Sequence, residues 1–164
     1  MAKLESINDL FMHELKDIYH AEQQLVDALP TIGEKISSSE LKSTMEMHLG
    51  QTKDQVKRLE EVFDKLGQSP QAEKCQAMEG LLDECREIMD QDADSAVMDA
   101  ALIAAQQKVE HYEIASYGTL VTWAKELDNR EVSELLGKTL DEEKQADEKL
   151  TQIAKQSANE RAMK

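Results

Sequence analysis

The chain has 164 residues, of which 40% are hydrophobic, 32% charged and only 4% aromatic. Its 34 acidic and 19 basic residues give a formal net charge of −15, which excludes the basic surface that a nucleic-acid-binding protein needs and disfavours contact with an anionic membrane. The length suits one domain, and the scarcity of aromatic and β-branched runs argues against a sheet. We therefore predict a single all-α domain over residues 1–164.

The N-terminal segment, MAKLESINDLFMHEL, lacks the basic start and the uninterrupted apolar run of a signal peptide. No apolar run in the chain approaches the roughly 20 residues that span a bilayer. A cytoplasmic location is therefore expected.

The first half of the chain predicts two long helices. Ser6 and Asp9 resemble a capping box at the start of the first, and apolar residues then recur every three or four positions as far as Ile36. Pro30 is expected to kink this helix or end it early. The serines at 37–39 mark a break, and the second helix runs from about Leu41 to a stop at Gly67.

The second half begins with a shorter amphipathic helix, which is expected to start at Ser69-Pro70. A third long helix then runs from about Ala96 to Leu127, and a fourth follows the break at Asp128-Asn129. Residues 155–164 lose the apolar periodicity and are expected to fray.

Loop lengths select the topology of the four long helices. Very short turns make the first and second helices, and the third and fourth, antiparallel neighbours. The long connection between the second and third helices can cross the whole bundle and carry the short helix on the way. This pattern predicts a ferritin-like four-helix bundle of two hairpins.

Five acids lie where the helical apolar faces call for a hydrophobic residue. A buried carboxylate is costly unless it is paired, protonated or bound to a metal. Glu110 and Asp147 lie equally far from the Asp128-Asn129 turn, and Glu113 and Glu143 do so to within one residue, so each pair is level in an antiparallel hairpin. Glu22 lies at a similar depth in the other hairpin. Inward carboxylates at one depth predict a dinuclear metal site.

The second helix supplies weaker candidates. Gln51 and Gln55 lie at the level of Glu22, whereas His48 is about 9 Å away along the helix axis. No histidine follows a glutamate by three positions, so the usual Glu-x-x-His pattern is absent. Oxygen ligands without imidazole suit Mn²⁺, Fe²⁺ or Mg²⁺ better than Zn²⁺ or Cu²⁺.

The alternative interpretation is a solvated acidic stripe, or pairing of these acids with Lys108 and Lys144. Tyr117, one turn after Glu113, is interpreted as a core residue or as a redox or hydrogen-bonding group beside the metal. Met78, Leu81, Leu82 and Met89 on the short helix are a candidate surface for self-association.

Several segments resemble the YciF/YciE stress-protein family of the ferritin-like superfamily. They are DAALIAAQQKVEHYEIASYGTLV at 99–121, LDEEKQADEKL at 140–150, CQAMEGLLDE at 75–84, and HLGQT with QVKRLEEVF between His48 and Phe63. The resemblance implies a ferritin-like bundle, a homodimer, a role in bacterial stress responses and a rubrerythrin-like di-iron site.

The resemblance also implies which residues hold the metal. Glu110-x-x-Glu113 matches the Glu-x-x-Glu of rubrerythrin-type helices. The family's acid on the first helix maps to Glu22, and its acids on the fourth map to Glu143 and Asp147. Many members carry Glu and His where this chain has Gln51 and Gln55.

Two functions follow as hypotheses. The first is a redox-metal protein with two divalent ions, iron by resemblance or else manganese, that oxidises Fe²⁺ with oxygen or peroxide. The second is a non-enzymatic dimeric stress module whose metal site is structural or vestigial.

Overall fold

The described part of the chain, residues 4–164 of a computed structural model, is helical and contains no strand. The helices are α1 (Ile7–Glu34), α2 (Ser39–Lys65), α3 (Gln76–Met89), α4 (Ser95–Glu126), α5 (Arg130–Ile153), a π-helix (Ala154–Ala158) and α6 (Asn159–Ala162). The prediction of an all-α fold is confirmed. Within the described residues, no helix is both long and apolar enough to cross a membrane.

Local capping explains where the long helices begin and end. The Ser6 hydroxyl accepts a hydrogen bond from the backbone N–H of Asp9, and the Asn129 side chain accepts one from Val132. At the end of α2, Gly67 adopts a left-handed conformation with φ of 66°, and Asp128 does so after α4 with φ of 54°. The predicted breaks at these two positions are confirmed.

The helices form two antiparallel hairpins, α1 with α2 and α4 with α5, and the hairpins pack together through α1 against α4 and α2 against α5. The segment between α2 and α4 carries α3, which packs against α4 and α1. This is the predicted ferritin-like bundle with a long crossover and an extra short helix.

Helix α1 continues through Pro30 to Glu34, so the proline does not end the helix early; an exposed proline near a helix end removes only one hydrogen bond. Two other local expectations were wrong. Helix α3 begins at Gln76 and not at Ser69-Pro70. Cys75 is its N-cap, and the Glu73 N–H just before it bonds to the Lys16 carbonyl of α1 and not to a carbonyl of its own helix. Residues 155–164 were expected to fray, but the chain remains helical as far as Ala162.

The C-terminal segment is held by packing and by charge. Ala158 is fully buried, and the π-helix and α6 both contact α4. Arg161 lies 3.5 Å from the buried Asp99 carboxylate. These tertiary contacts replace the apolar periodicity that the sequence lacks here.

The short crossover helix is part of the core. Met78, Leu82 and Met89 are buried and Leu81 is partly buried against the same core, so these residues do not form the surface for self-association that their sequence suggested. The two cysteines, Cys75 and Cys85, are free and buried.

Candidate metal centre

Helix α4 brings three polar side chains to the middle of the bundle. Glu110, Glu113 and Tyr117 follow one another at helical spacing, and all three are fully buried. The acids are not a solvated stripe. Lys108 lies 2.8 Å from Glu84 and is thus engaged at the surface. The alternative interpretation of these acids is therefore wrong for the residues on α4.

Four side chains from three helices converge at this depth. His48 of α2, Glu110 and Glu113 of α4, and Glu143 of α5 each offer one ligand atom, and these atoms all lie within 4.8 Å of one another. His48 Nε2 is 3.2 Å from Glu110 Oε1, without the alignment of a hydrogen bond. We call these four residues the carboxylate–histidine cluster.

Helix α1 contributes Glu22 beside this cluster. The Tyr117 hydroxyl donates a hydrogen bond to Glu22 Oε1, and Glu22 is fully buried. Burial, then the charges of Glu143 and Glu22, raise the pKa of Glu113. Glu22 therefore extends the cluster towards α1.

Two amides complete the surroundings. Gln106 Nε2 donates to Glu110 Oε1 at 2.7 Å, and Gln55 Nε2 donates to Glu143 Oε1. The sequence pattern did not single out Gln106, although it lies one turn before Glu110 on the same face of α4. It also missed Arg58 and Glu142, which pair across α2 and α5, because no local pattern reveals such a contact.

Buried polar atoms without partners are concentrated at this site. In the part of the chain that the structure describes, every buried side-chain nitrogen or oxygen without a hydrogen bond belongs to one of six residues: Glu22, His48, Gln55, Glu110, Glu113 and Glu143. Natural proteins rarely leave such atoms unsatisfied, because each costs about 1–3 kcal/mol. Their concentration in one place marks a position where a bound cation would find several ligand atoms.

The electrostatics of the metal-free site favour protonated acids. Burial, with the charge of Glu143, raises the pKa of Glu22 to about 8, and burial raises the pKa of Glu110 to about 7. Burial and the neighbouring carboxylates raise the pKa values of Glu113 and Glu143 well above their usual range. Divalent cations would relieve this repulsion.

Burial has the opposite effect on the histidine. It lowers the pKa of His48, so the imidazole is neutral at physiological pH, despite the nearby acids. Neutral imidazole is the form that binds metal ions. The donor set of carboxylates and one imidazole therefore fits a transition-metal ion such as Fe²⁺ or Mn²⁺.

The predicted ligands divide into two groups. Glu22, Glu110, Glu113 and Glu143 come together as the spacing indicated. Asp147 lies at the margin with a side chain that is 22% exposed, where it contacts His111 and Gln107. As a metal ligand it stays a prediction.

The candidates on α2 also separate. Gln55 is fully buried against Glu143, whereas Gln51 is only partly buried. The expectation that His48 lies too far along the axis was wrong. Side-chain reach bridges the axial offset: the His48 imidazole lies 3.2 Å from Glu110, while the Gln55 amide, seven residues further along α2, donates to Glu143.

Fold and site together define an all-helical bundle with a buried cluster of carboxylates and one histidine at its centre. A family model described as a domain of unknown function (DUF892) matches residues 6–163. Protein YciF of Escherichia coli strain K12 is 44% identical over 160 residues, which cover 97% of this chain and 96% of that protein. The chain belongs to the DUF892 family and is a homologue of YciF.

Solved structures agree with this assignment. The crystal structure of the E. coli stress protein YciF superimposes with a TM-score of 0.91 at 44% identity, covering 95% of this chain and 99% of that one. YcfI from Rhodopseudomonas palustris, described as a putative structural protein, has the same TM-score and identity and covers 93% of this chain and 97% of that one. A protein from Xanthomonas campestris pv. campestris is 21% identical and shares the fold with a TM-score of 0.74, covering 96% of this chain and 99% of that one.

Proposed function

We propose that the chain binds two divalent metal ions in the carboxylate–histidine cluster and Glu22, with iron preferred and manganese as the alternative. The observation that carries this proposal is the concentration of buried, unpartnered ligand atoms in one place. A cation satisfies several carboxylate oxygens at once, which no neutral donor in the core can do.

The charge of the site agrees with two ions. Four buried carboxylates, those of Glu22, Glu110, Glu113 and Glu143, carry a charge of at most −4, and two divalent cations balance it. His48 adds a neutral ligand. We keep Asp147 and Gln51 as marginal ligands: both are only partly buried, Asp147 lies one turn after Glu143, and Gln51 lies one turn before Gln55.

The reaction we propose is the oxidation of Fe²⁺ by oxygen or peroxide during stress. With peroxide, two Fe²⁺ lose one electron each, and two protons and the peroxide form two waters. Tyr117 holds Glu22 by its hydroxyl, Gln106 holds Glu110, and complete burial of the carboxylates excludes bulk water. A cytoplasmic homodimer remains part of the proposal.

A second candidate is a non-enzymatic dimeric module in which the metal is structural or vestigial. The observation that favours it is the likeness to a protein described as a putative structural protein. In this case the ions would neutralise the core and hold the hairpins together without turnover.

The test is elemental analysis of untagged protein, followed by Fe²⁺ and Mn²⁺ titration of the wild type and the Glu113→Ala variant. We expect about two ions per chain in the wild type and loss of binding in the variant. Oxygen or peroxide consumption on addition of Fe²⁺, absent in Glu110→Ala, would support the oxidase. Metal binding without consumption would support a structural metal. Absence of metal binding would contradict the oxidase and support the module with a vestigial site.

A further inference from the structure

Gln55 has an amide orientation that its neighbours determine. Its Nε2 donates to Glu142 Oε2 at 3.0 Å and also to Glu143 Oε1, so both amide hydrogens are used. The reversed orientation would place the amide oxygen against the Glu142 carboxylate, whose oxygens accept hydrogen bonds from Arg58 and have no hydrogen to donate. The nitrogen therefore faces the two acids.

The amide oxygen of Gln55 is left without a partner. Gln55 is fully buried, and its Oε1 accepts no hydrogen bond. A buried carbonyl oxygen without a donor is costly. An amide oxygen is also a hard, neutral ligand of the kind that Mn²⁺, Mg²⁺ and Ca²⁺ accept.

Glu142 is itself held in place from outside the cluster. Arg58 donates two parallel hydrogen bonds to the Glu142 carboxylate, from Nη1 to Oε2 at 2.8 Å and from Nη2 to Oε1 at 2.9 Å. Arg58 Nη1 also donates to Thr139 Oγ1 at 2.7 Å. A bidentate arginine–carboxylate pair imposes one geometry, and it cancels the charge of Glu142 locally.

We propose that Arg58 and Glu142 are positioning residues that aim the amide oxygen of Gln55 at the metal centre as a neutral ligand. This inference rests on the proposed metal-binding function. It assigns the α2–α5 pair a role in ligand orientation. It also explains how a glutamine at this position adds an oxygen ligand while the buried carboxylate charge stays balanced by two divalent ions.

The test is a double-mutant cycle on Mn²⁺ affinity, measured by isothermal titration calorimetry on the metal-free full chain. Gln55→Leu removes the amide oxygen, and Glu142→Ala removes the group that orients it. We expect each single variant to weaken Mn²⁺ binding about tenfold. Because Glu142 acts through Gln55, the double variant should lose no more Mn²⁺ affinity than Gln55→Leu alone loses.

A matched control is available on the same two helices. Lys65 of α2 pairs with Glu131 of α5 at 3.0 Å, on the exposed surface. Glu131→Ala breaks this second α2–α5 ion pair without touching Gln55, so it should bind Mn²⁺ like the wild type. Circular dichroism confirms folding, and Glu142→Gln replaces Glu142→Ala in the cycle if the alanine variant does not fold.

A readout without metal tests the orientation itself. In the metal-free protein, the side-chain amide signals of Gln55 in ¹H–¹⁵N NMR spectra should move in Arg58→Lys, which cannot form the bidentate pair, and should stay unchanged in Glu131→Ala. Unmoved signals would overturn the positioning role.

The remaining outcomes separate the two proposals. If the wild type binds Mn²⁺, a hundredfold loss of affinity in the double variant overturns the inference but not the proposed function. A loss of affinity in Glu131→Ala equal to that in Glu142→Ala does the same. Unchanged affinity in Gln55→Leu also overturns it. A wild type that binds no Mn²⁺ or Fe²⁺ overturns the proposed function and the inference with it.

Discussion

His48 and Asp147 show how a few ångströms decide the role of a residue. His48 lies 3.2 Å from Glu110 with a side chain that is 4% exposed, so it faces the carboxylates of the buried cluster. Asp147, one turn beyond Glu143, reaches the surface and pairs with His111. Both residues are on helices that contribute to the site, but only the histidine offers an atom inside it.

This difference predicts unequal effects of two substitutions. Glu143→Gln should weaken Mn²⁺ binding by about a hundredfold or more, because it removes a charged ligand from the centre of the cluster. Asp147→Asn should change the affinity only a few-fold, since it removes a partly solvated charge. Calorimetric titration measures both. Equal losses would show that Asp147 is a ligand, as its spacing in the sequence predicts.

At the scale of helices, one buried carboxylate ties several elements together. Asp99 near the start of α4 is fully buried and accepts hydrogen bonds from Ser37 N at 2.8 Å, Ser37 Oγ at 2.7 Å and Ser38 N at 3.0 Å. Arg161 approaches it from the C-terminal segment. The turn between α1 and α2 is thereby attached to the second hairpin.

We expect Asp99→Ala to lower the free energy of unfolding by about 2–4 kcal/mol, because it leaves several donors without an acceptor. The exposed Asp92→Ala is the control and should change stability by less than about 0.5 kcal/mol. Urea denaturation followed by circular dichroism compares them. A loss in Asp99→Ala no larger than that in the control would show that solvent satisfies these donors.

For the molecule as a whole, the buried acids make stability depend on pH and on metal. The folded pKa of Glu22 is about 8 and that of Glu110 about 7, above the ordinary 4.5. Protonation therefore favours the folded state. The stabilising contribution is complete below about pH 4.5 and is lost as the pH rises through about 7 to 8.

Metal-free protein should accordingly have a lower Tm at pH 8 than at pH 6. The net charge of −15 adds a general repulsion at high pH, so the comparison needs a variant. Glu22→Gln with the chelator present should show a shallower fall in Tm over the same range. An identical slope in the two proteins would assign the pH dependence to surface charge.

Metal binding should raise the Tm, because the cations remove the repulsion among the buried carboxylates. At a free Mn²⁺ concentration of about 100 times Kd, binding contributes about 2.7 kcal/mol, which corresponds to a rise of about 5–10 °C for a domain of this size. Differential scanning calorimetry with and without Mn²⁺ measures it, and Glu113→Ala is the control. A metal-free sample that melts no lower than the loaded protein would contradict the proposed site.

Much of this fold could be predicted from local signals. The breaks at Gly67 and Asp128 depend on left-handed conformations that these residues adopt readily, and loop length then dictates which helices are antiparallel neighbours. The start of α3 could not be predicted in this way. It is determined by contacts of residues 73–75 with α1, which a local pattern does not contain.

The sequence by itself determined the bundle, its topology and the inward position of the four glutamates, because helical periodicity and turn spacing are local properties. Only the tertiary structure decided that His48 joins the glutamates, that Asp147 stays at the margin, and that Arg58 holds Glu142 beside Gln55. These outcomes depend on side-chain reach across helices that are distant in sequence, where a few ångströms separate a contact from none.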